Sequence, residues 1–235
     1  MAMKIIGRIE NIPDYTSWSQ FSIPAENFEN ITKQRDDGRG ITNTARFAGR
    51  QRIADFVANK YGYKSTDVIG IDPKDYEKWF ITDYSVVGKI SNKIGLNKPV
   101  ARIQVSEPGH AVPLHIDHLR FAYINDSTCL SEHGYIPNLT SEEKQAFEVD
   151  QQAAQRVIIF LEDWKYGQGF VWEDRIFDRW KSGDILYWDW PTDIHATFNC
   201  GYWSRAIVKI TGMTTNVFSN LTQSENFTVW DFNDL

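Results

Sequence analysis

The stretch "PLHIDHLRF", Pro113–Phe121, sets two histidines around an aspartate inside an apolar, strand-like run. Alternate side chains of a strand share a face, so His115 and Asp117 are expected to point one way and Ile116 the other. An imidazole beside a carboxylate supplies two metal ligands, and chelation from one side needs a third. The chain has five histidines, His110, His115, His118, His133 and His195, and only His195 falls in a second strand-like run, "DIHATFN". Two imidazoles and one carboxylate leave the opposite coordination positions open. That is the facial arrangement suited to Fe(II), a chelating co-substrate and O2. A zinc hydrolase site of the type His-x-His-x-Asp-His is the rival reading of "HIDH"; it would need a histidine where Pro113 stands.

Ten residues beyond His195 stands Arg205, in "RAIVKITG". Its planar guanidinium can pair bidentately with a carboxylate, and a 2-oxoacid chelating iron through its carboxylate and keto oxygen would offer its far carboxylate to such a group. Arg156, opening "RVIIFL", reads either as a second co-substrate arginine or as a salt-bridge partner on the barrel face. His118 falls on the opposite face from Asp117 and reads as a surface or supporting histidine, with substrate contact as the alternative. Arg120 returns to the metal face, where it would meet an acidic substrate or solvent. Trp188 precedes His195 by seven residues on a run that should line the pocket, so it is the tryptophan to watch among nine. Cys200, in "NCG", has no histidine placed to activate it and reads as a turn-flanking residue.

The elements that must position these residues change character along the chain. Residues 45–60 place Phe47, Ile53, Phe56 and Val57 at helical spacing, with Gly62 near the stop, and a second helix is expected over about Pro73 to Asn92. Residues 1–98 thus read as a helical N-terminal layer. From Val100 the runs are short, rich in β-branched and aromatic residues and separated by turn signals. "ARIQVSEPG", "HAVPLHIDH", "LRFAYIND", "QRVIIFLEDW", "QGFVWED", "GDILYWDW", "IHATFN" and "SRAIVKITG" give about eight strands, the number that closes a jelly roll. The core is expected over 99–213, with a polar insertion at 127–154. That insertion carries a helix opened by Thr140 or Ser141 with Glu143 or Lys144. Residues 214–235 form a tail without a clear assignment. At 235 residues one mainly β domain is expected, with helices packed on a barrel.

With these residues in view, the chain resembles the Fe(II)/2-oxoglutarate-dependent dioxygenases, which share a double-stranded β-helix (jelly-roll, cupin-like) fold. "RIQVSEPGHAVPLHIDH", "RVIIFL" and "SGDILYWDWPTDIHATFNCGYWSRAIVKI" look most like the aspartyl/asparaginyl β-hydroxylase-like branch, which includes free-proline hydroxylases. The resemblance spans about Ala101 to Gly212. It implies that His115, Asp117 and His195 ligate iron and that Arg205 and Arg156 hold 2-oxoglutarate. It also implies hydroxylation of an unactivated C–H bond in an amino acid, free or in a protein. The branch often has a histidine two residues after its second arginine, where Ile158 stands here. Related halogenases replace the carboxylate ligand, so Asp117 favours hydroxylation.

Composition excludes other classes. A net charge of -6 and the absence of a dense Lys/Arg run argue against a nucleic-acid partner. No apolar run reaches spanning length, so no membrane partner is expected. Two cysteines make no disulfide framework and no leader-like segment opens the chain, which points to the cytoplasm. No sequence feature bears on oligomeric state. The competing class is a β-barrel binding module that keeps the fold without the chemistry.

Overall fold

The computed structural model describes residues 3–20, 76–106, 108–115, 117, 119, 123, 139–150, 153–172, 175–190 and 193–235, with backbone alone at 20, 76–80, 113, 115 and 147–149. The helix expected over 45–60, His118, Arg120 and much of the insertion lie outside these residues. The chain divides into two compact units, Met1–Ser22 with Glu77–Leu235, and Ile23–Tyr76. The elements named below lie in the first, and one strand starts at its boundary.

In chain order the strands are β1 (Lys4–Glu10), β2 (Ser19–Gln20), β3 (Tyr76–Ile81), β4 (Leu96–Ser106), β5 (Ala111–His115) and β6 (Ala154–Phe160). They continue as β7 (Gln168–Trp172), β8 (Arg175–Phe177), β9 (Asp184–Tyr187), β10 (His195–Asn199), β11 (Arg205–Thr214) and β12 (Val229–Asp231). An eight-stranded sheet runs β12-β1-β9-β6-β11-β4-β3-β2, and a four-stranded sheet runs β5-β10-β7-β8. From β4 to β11 the chain passes back and forth between the two sheets, staying in one only for the β7–β8 hairpin. Pairing is antiparallel at β11–β4, β11–β6, β6–β9, β10–β5, β10–β7 and β7–β8. This is the double-stranded β-helix that the eight predicted strands called for. Phe160 of the large sheet meets Phe170 of the small one edge to face, with centroids 5.7 Å apart, so the two sheets share a core.

Strand β11 is largely buried on both faces because both are covered. One face looks toward the small sheet. Helix α1 (Tyr84–Ile94) is capped by Asp83, whose carboxylate accepts from the Ser85 N–H, and ends at Gly95 with φ 79°. It buries Val86, Val87, Ile90 and Ile94 along one stripe and packs on β4 and β11. Each such side chain contributes roughly 1.5–3 kcal/mol when fully removed from water. Helix α2 (Ser141–Val149) opens with the expected capping box, and the structure selects Thr140 with Glu143 for it. Glu143 also takes Lys98 Nζ at 2.5 Å, tying the insertion to β4.

Four expectations need correction. Residues 1–98 are not a helical layer throughout: β1 is a member of the large sheet, paired with β9. The helix expected from Pro73 begins only at Tyr84, because "YEKWFI" forms β3 and Asp83 supplies the cap. In the strand predicted for "LRFAYIND", Leu119 and Tyr123 are instead helical, and both are buried at the i, i+4 spacing that a helix brings to one face. The tail from 214 is ordered. Helix α3 (Asn216–Gln223) buries Phe218 beside Tyr187, and β12 pairs in parallel with β1.

The Gly183–Asp184 turn leads into β9. Gly183 has φ 83° and donates its N–H to Phe160 O at 2.7 Å. Asp184 accepts from Arg8 Nε at 2.7 Å and from the Lys181 N–H at 2.8 Å. The turn therefore pins β1, β6 and β9 together.

Candidate metal and anion site

The backbone register sets His195 of β10 opposite His115 of β5. Strand β5 ends at His115, and Asp117 follows just past it. The Asp117 Oδ2 atom lies 3.9 Å from His195 Nε2 and accepts from Arg156 Nη1 at 2.6 Å. The site thus joins residues from the end of β5, the start of β10 and the start of β6.

The His195 ring stands with its Nδ1 3.0 Å from the Asp193 carbonyl oxygen. A carbonyl can only accept, so Nδ1 carries a proton, and Nε2 is the ring nitrogen turned toward the Asp117 carboxylate and able to serve as a metal ligand. Two electron-pair donors converging on one point form half of a chelate. A ring nitrogen fixed through its other nitrogen is how a protein prepares a histidine ligand. Among the described residues no cluster of three or more His, Cys, Asp and Glu side chains is formed; for His115 the description covers the backbone alone.

The walls of this site are aromatic. His195 is 3% exposed, with Trp188 at 4.8 Å and Trp190 at 5.0 Å between ring centroids, and the two indoles stack on each other at 3.6 Å. Trp172, the register partner of His195 on β7, adds a third. The indole N–H groups of Trp172, Trp188 and Trp190 are buried without a hydrogen-bond partner among the described residues. Buried donors left unmatched are costly, so three of them around one histidine mark a place for a polar ligand or water. Arg156 lies over Trp190 at 5.2 Å and donates from Nε to Thr211 Oγ1 at 2.8 Å, so its guanidinium is held in place from two sides. Trp188 stands beside His195 in the structure. Trp190 and Trp172 were missed; the only signal for Trp172 is its strand position opposite the distal histidine.

Arg205 lies deeper on the inner face of β11. It is 1% exposed and donates from Nη1 to Phe198 O at 3.1 Å and Gly169 O at 3.4 Å, and from Nη2 to Ser106 Oγ at 3.3 Å. Its guanidinium covers Phe170 at 4.7 Å, and Nε has no partner among the described residues. Burial pulls its pKa down to about 9. Asn199, four residues after His195, ties its Nδ2 to Ser106 O at 2.7 Å and Trp203 O at 2.8 Å, which fixes the loop leading into Arg205.

A second cation on the same face went unread. Period two along β11 carries Arg205, Ile207, Lys209 and Thr211 to one side, and the register pairs Lys209 with Arg102 of β4 and Ile158 of β6. Lys209 is partly buried, and burial pushes its pKa down to about 8, with Asp117 opposing and Arg156, Arg205 and Arg102 adding to the fall. The sign follows: between pH 8 and 10.5 the unfolded chain holds the Lys209 proton and the folded one releases it, so stability rises with pH across that window. Below pH 8 the burial cost stands in full. The variant Lys209→Met is expected to be more stable than the native chain at pH 7 and to lose this rise. Urea midpoints for both chains at pH 7, 8.5 and 10 test it, and parallel curves would refute it.

No family model matches the chain, and no curated protein matches it. Among solved structures it is similar to a predicted oxalate decarboxylase from Thermotoga maritima, at 12% identity and TM-score 0.33, over 59% of this chain and 80% of that one. It is also similar to a cupin 2 conserved barrel domain protein from Salinispora arenicola, at 10% identity and TM-score 0.29, over 54% and 71%. A third likeness is to an uncharacterised protein with a double-stranded β-helix domain from Klebsiella pneumoniae, at 12% identity and TM-score 0.29, over 52% and 68%. Strand order and pairing define this chain as a cupin-like, double-stranded β-helix protein. Among the described residues no helix is long and apolar enough to cross a membrane.

Proposed function

We propose that the chain is an Fe(II)- and 2-oxoglutarate-dependent dioxygenase of the aspartyl/asparaginyl β-hydroxylase-like branch, hydroxylating an amino acid, free or in a protein. The observation that carries this reading is the convergence of His195 Nε2 and Asp117 Oδ2, 3.9 Å apart, with His115 in register opposite His195. The donor set fits a metal that takes mixed nitrogen and oxygen ligands. His115, Asp117 and His195 would hold the iron. When bound, the iron supplies the oxygen chemistry, coupled to decarboxylation of 2-oxoglutarate to succinate and CO2.

The chain's own residues do the rest. Asp193 O fixes the His195 tautomer, and Arg156 holds Asp117 at 2.6 Å so that the carboxylate keeps its orientation and its charge. The Arg156–Asp117 ion pair supports the salt-bridge reading of Arg156 over the co-substrate one. Trp188 and Trp190 exclude water from the buried side of His195, and their N–H groups offer donors to a ligand oxygen. Arg205 is the candidate for the far carboxylate of 2-oxoglutarate. Small-molecule or peptidyl amino acids remain the substrate class, with O2 as co-substrate.

The test is succinate formation from 2-oxoglutarate by the Fe(II)-loaded chain, alongside a +O product search over free amino acids and a peptide library. Turnover that disappears in His115→Ala is the expected result. No turnover in either chain together with no iron bound would overturn the reading.

A further inference from the structure

The outer face of the four-stranded sheet β5-β10-β7-β8 is apolar and open. His195, Thr197 and Asn199 of β10 and Phe170 and Trp172 of β7 are buried on the inner face, so the residues between them point outward. Register sets Ala196, Val171 and Ile176 in one row across β10, β7 and β8, with Leu114 of β5 beside it, and Phe198 opposite Gly169 in the next. A Cβ on Gly169 would fall 2.6 Å from Phe198 Cζ and 3.2 Å from Ile176 Cγ2, so the phenyl ring covers the glycine and joins the rows into one patch. An antiparallel sheet with one face in water ordinarily alternates apolar with polar residues. Here no described residue of the four strands on the outer face is polar or charged, and Leu114 and Ile176 are 54% and 62% exposed. Arg175, in register with Trp172, belongs to the other face.

We propose that this face is the interface of a homodimer, packed sheet on sheet against the same face of a second copy. A contiguous exposed apolar patch marks an interaction site, and two features select the partner. The first is charge. The chain carries a net -6, so it repels both its own copies and an anionic lipid surface, and close approach is favourable only through a face that buries no charge. In a two-fold pair the same residues meet from both sides, and an apolar sheet face is complementary to itself. The second is area. At one end of the sheet the loops before β7 and after β10 are joined where the Cys200 N–H donates to Gly167 O at 2.8 Å, and they carry Tyr166, Tyr202 and Trp203 at 82%, 89% and 53% exposure. At about 150–250 Å² for a whole aromatic side chain, these three leave about 450 Å² open. With the aliphatic rows a copy offers about 600 Å², and a pair about 1,200 Å², where interfaces of standard size begin. The proposal stands apart from the iron reading.

Sedimentation of the full native chain over a wide range of concentration is expected to show a monomer–dimer equilibrium. Ile176→Lys and Leu114→Lys would each bury an unpaired ammonium in the pair and should weaken dimerisation at least about a hundredfold. Both side chains are more than half exposed in the single chain, so the variant monomers should keep the native fold, which circular dichroism checks. Ile176→Ser, expected to weaken the pair at least about tenfold, decides the matter if a lysine variant fails to fold. Val217→Lys, on α3 and 54% exposed, should leave the dimer unchanged. A native chain that sediments as a monomer at every concentration overturns the proposal. So does a dimer that the Ile176 and Leu114 variants leave intact, or one that Val217→Lys disrupts equally. A native monomer that floats with phosphatidylcholine vesicles, while Ile176→Lys does not, also overturns it and gives the face to a lipid surface.

Discussion

Replacing His195 by alanine should weaken Mn(II) or Fe(II) binding by at least about a hundredfold, since it removes a ligand whose orienting partners alone are commonly worth about ten- to a hundredfold. His195 is 3% exposed between two tryptophans and its Nε2 faces Asp117, so no surface side chain can replace it. Truncation also leaves a cavity beside Trp188, and a loss of fold must be told apart from a loss of metal. Linkage provides the distinction. A metal that binds only the folded chain stabilises it by about 2.7 kcal/mol at a concentration a hundred times its Kd. The native melting temperature should therefore climb with added Mn(II), while that of His195→Ala, wherever it starts, should not. An equal climb in both chains would show that His195 is no ligand.

The largest expected effect on stability lies away from this site, at Gly183. A Cβ there would fall on the carbonyl oxygen of Ile9, part of the β1 backbone and unable to swing aside as a flexible side chain would. The φ of 83° adds the cost of a left-handed conformation for an L residue. Moving β1 away would also break the hydrogen bond from the Ile9 N–H to Gly183 O, at 3.0 Å. Gly183→Ala is expected to destabilise the chain by at least about 3 kcal/mol, combining backbone strain with displaced sheet. Urea unfolding measures it directly, and a change below about 1 kcal/mol would show that the turn relaxes without disturbing β1.

The strands were legible because "RVIIF", "DILY" and "AIVKI" combine β-branched content with clear turn signals, and seven of the eight predicted runs became strands. The histidine of "DIHATFN" could be placed opposite "PLHID" from sequence, because both run in strand-like stretches that a jelly roll sets side by side. Other features were not legible, for physical reasons. "LRFAYIND" holds no strong breaker and reads equally as strand or helix, and only burial of Leu119 and Tyr123 on one side decides. The strand "KIIGRIE" is short and isolated in sequence, and its partners Asp184–Tyr187 and Val229–Asp231 lie far along the chain. Lys209 was within reach: it sits two same-face steps from Arg205, and a count along "RAIVKITG" places both toward the small sheet. Trp190 was not, because it lies in a turn after β9, where no periodicity indicates direction.

The parallel pairing of β1 with β12 bears on how the protein comes to be made. Asn11 and Asp231, whose side chains meet at 2.8 Å beside that pairing, stand 220 positions apart. During synthesis β1 leaves the ribosome well before β12, and its outer edge stays open until β12 has emerged. Closing so long a loop is slow to nucleate, although each further doubling of its length adds only about 0.6 kcal/mol. An open, largely apolar strand edge is also a template for pairing with another chain. The nascent protein thus keeps this edge exposed to aggregation until β12 arrives, and a chain cut short of Val229 would be held at that stage.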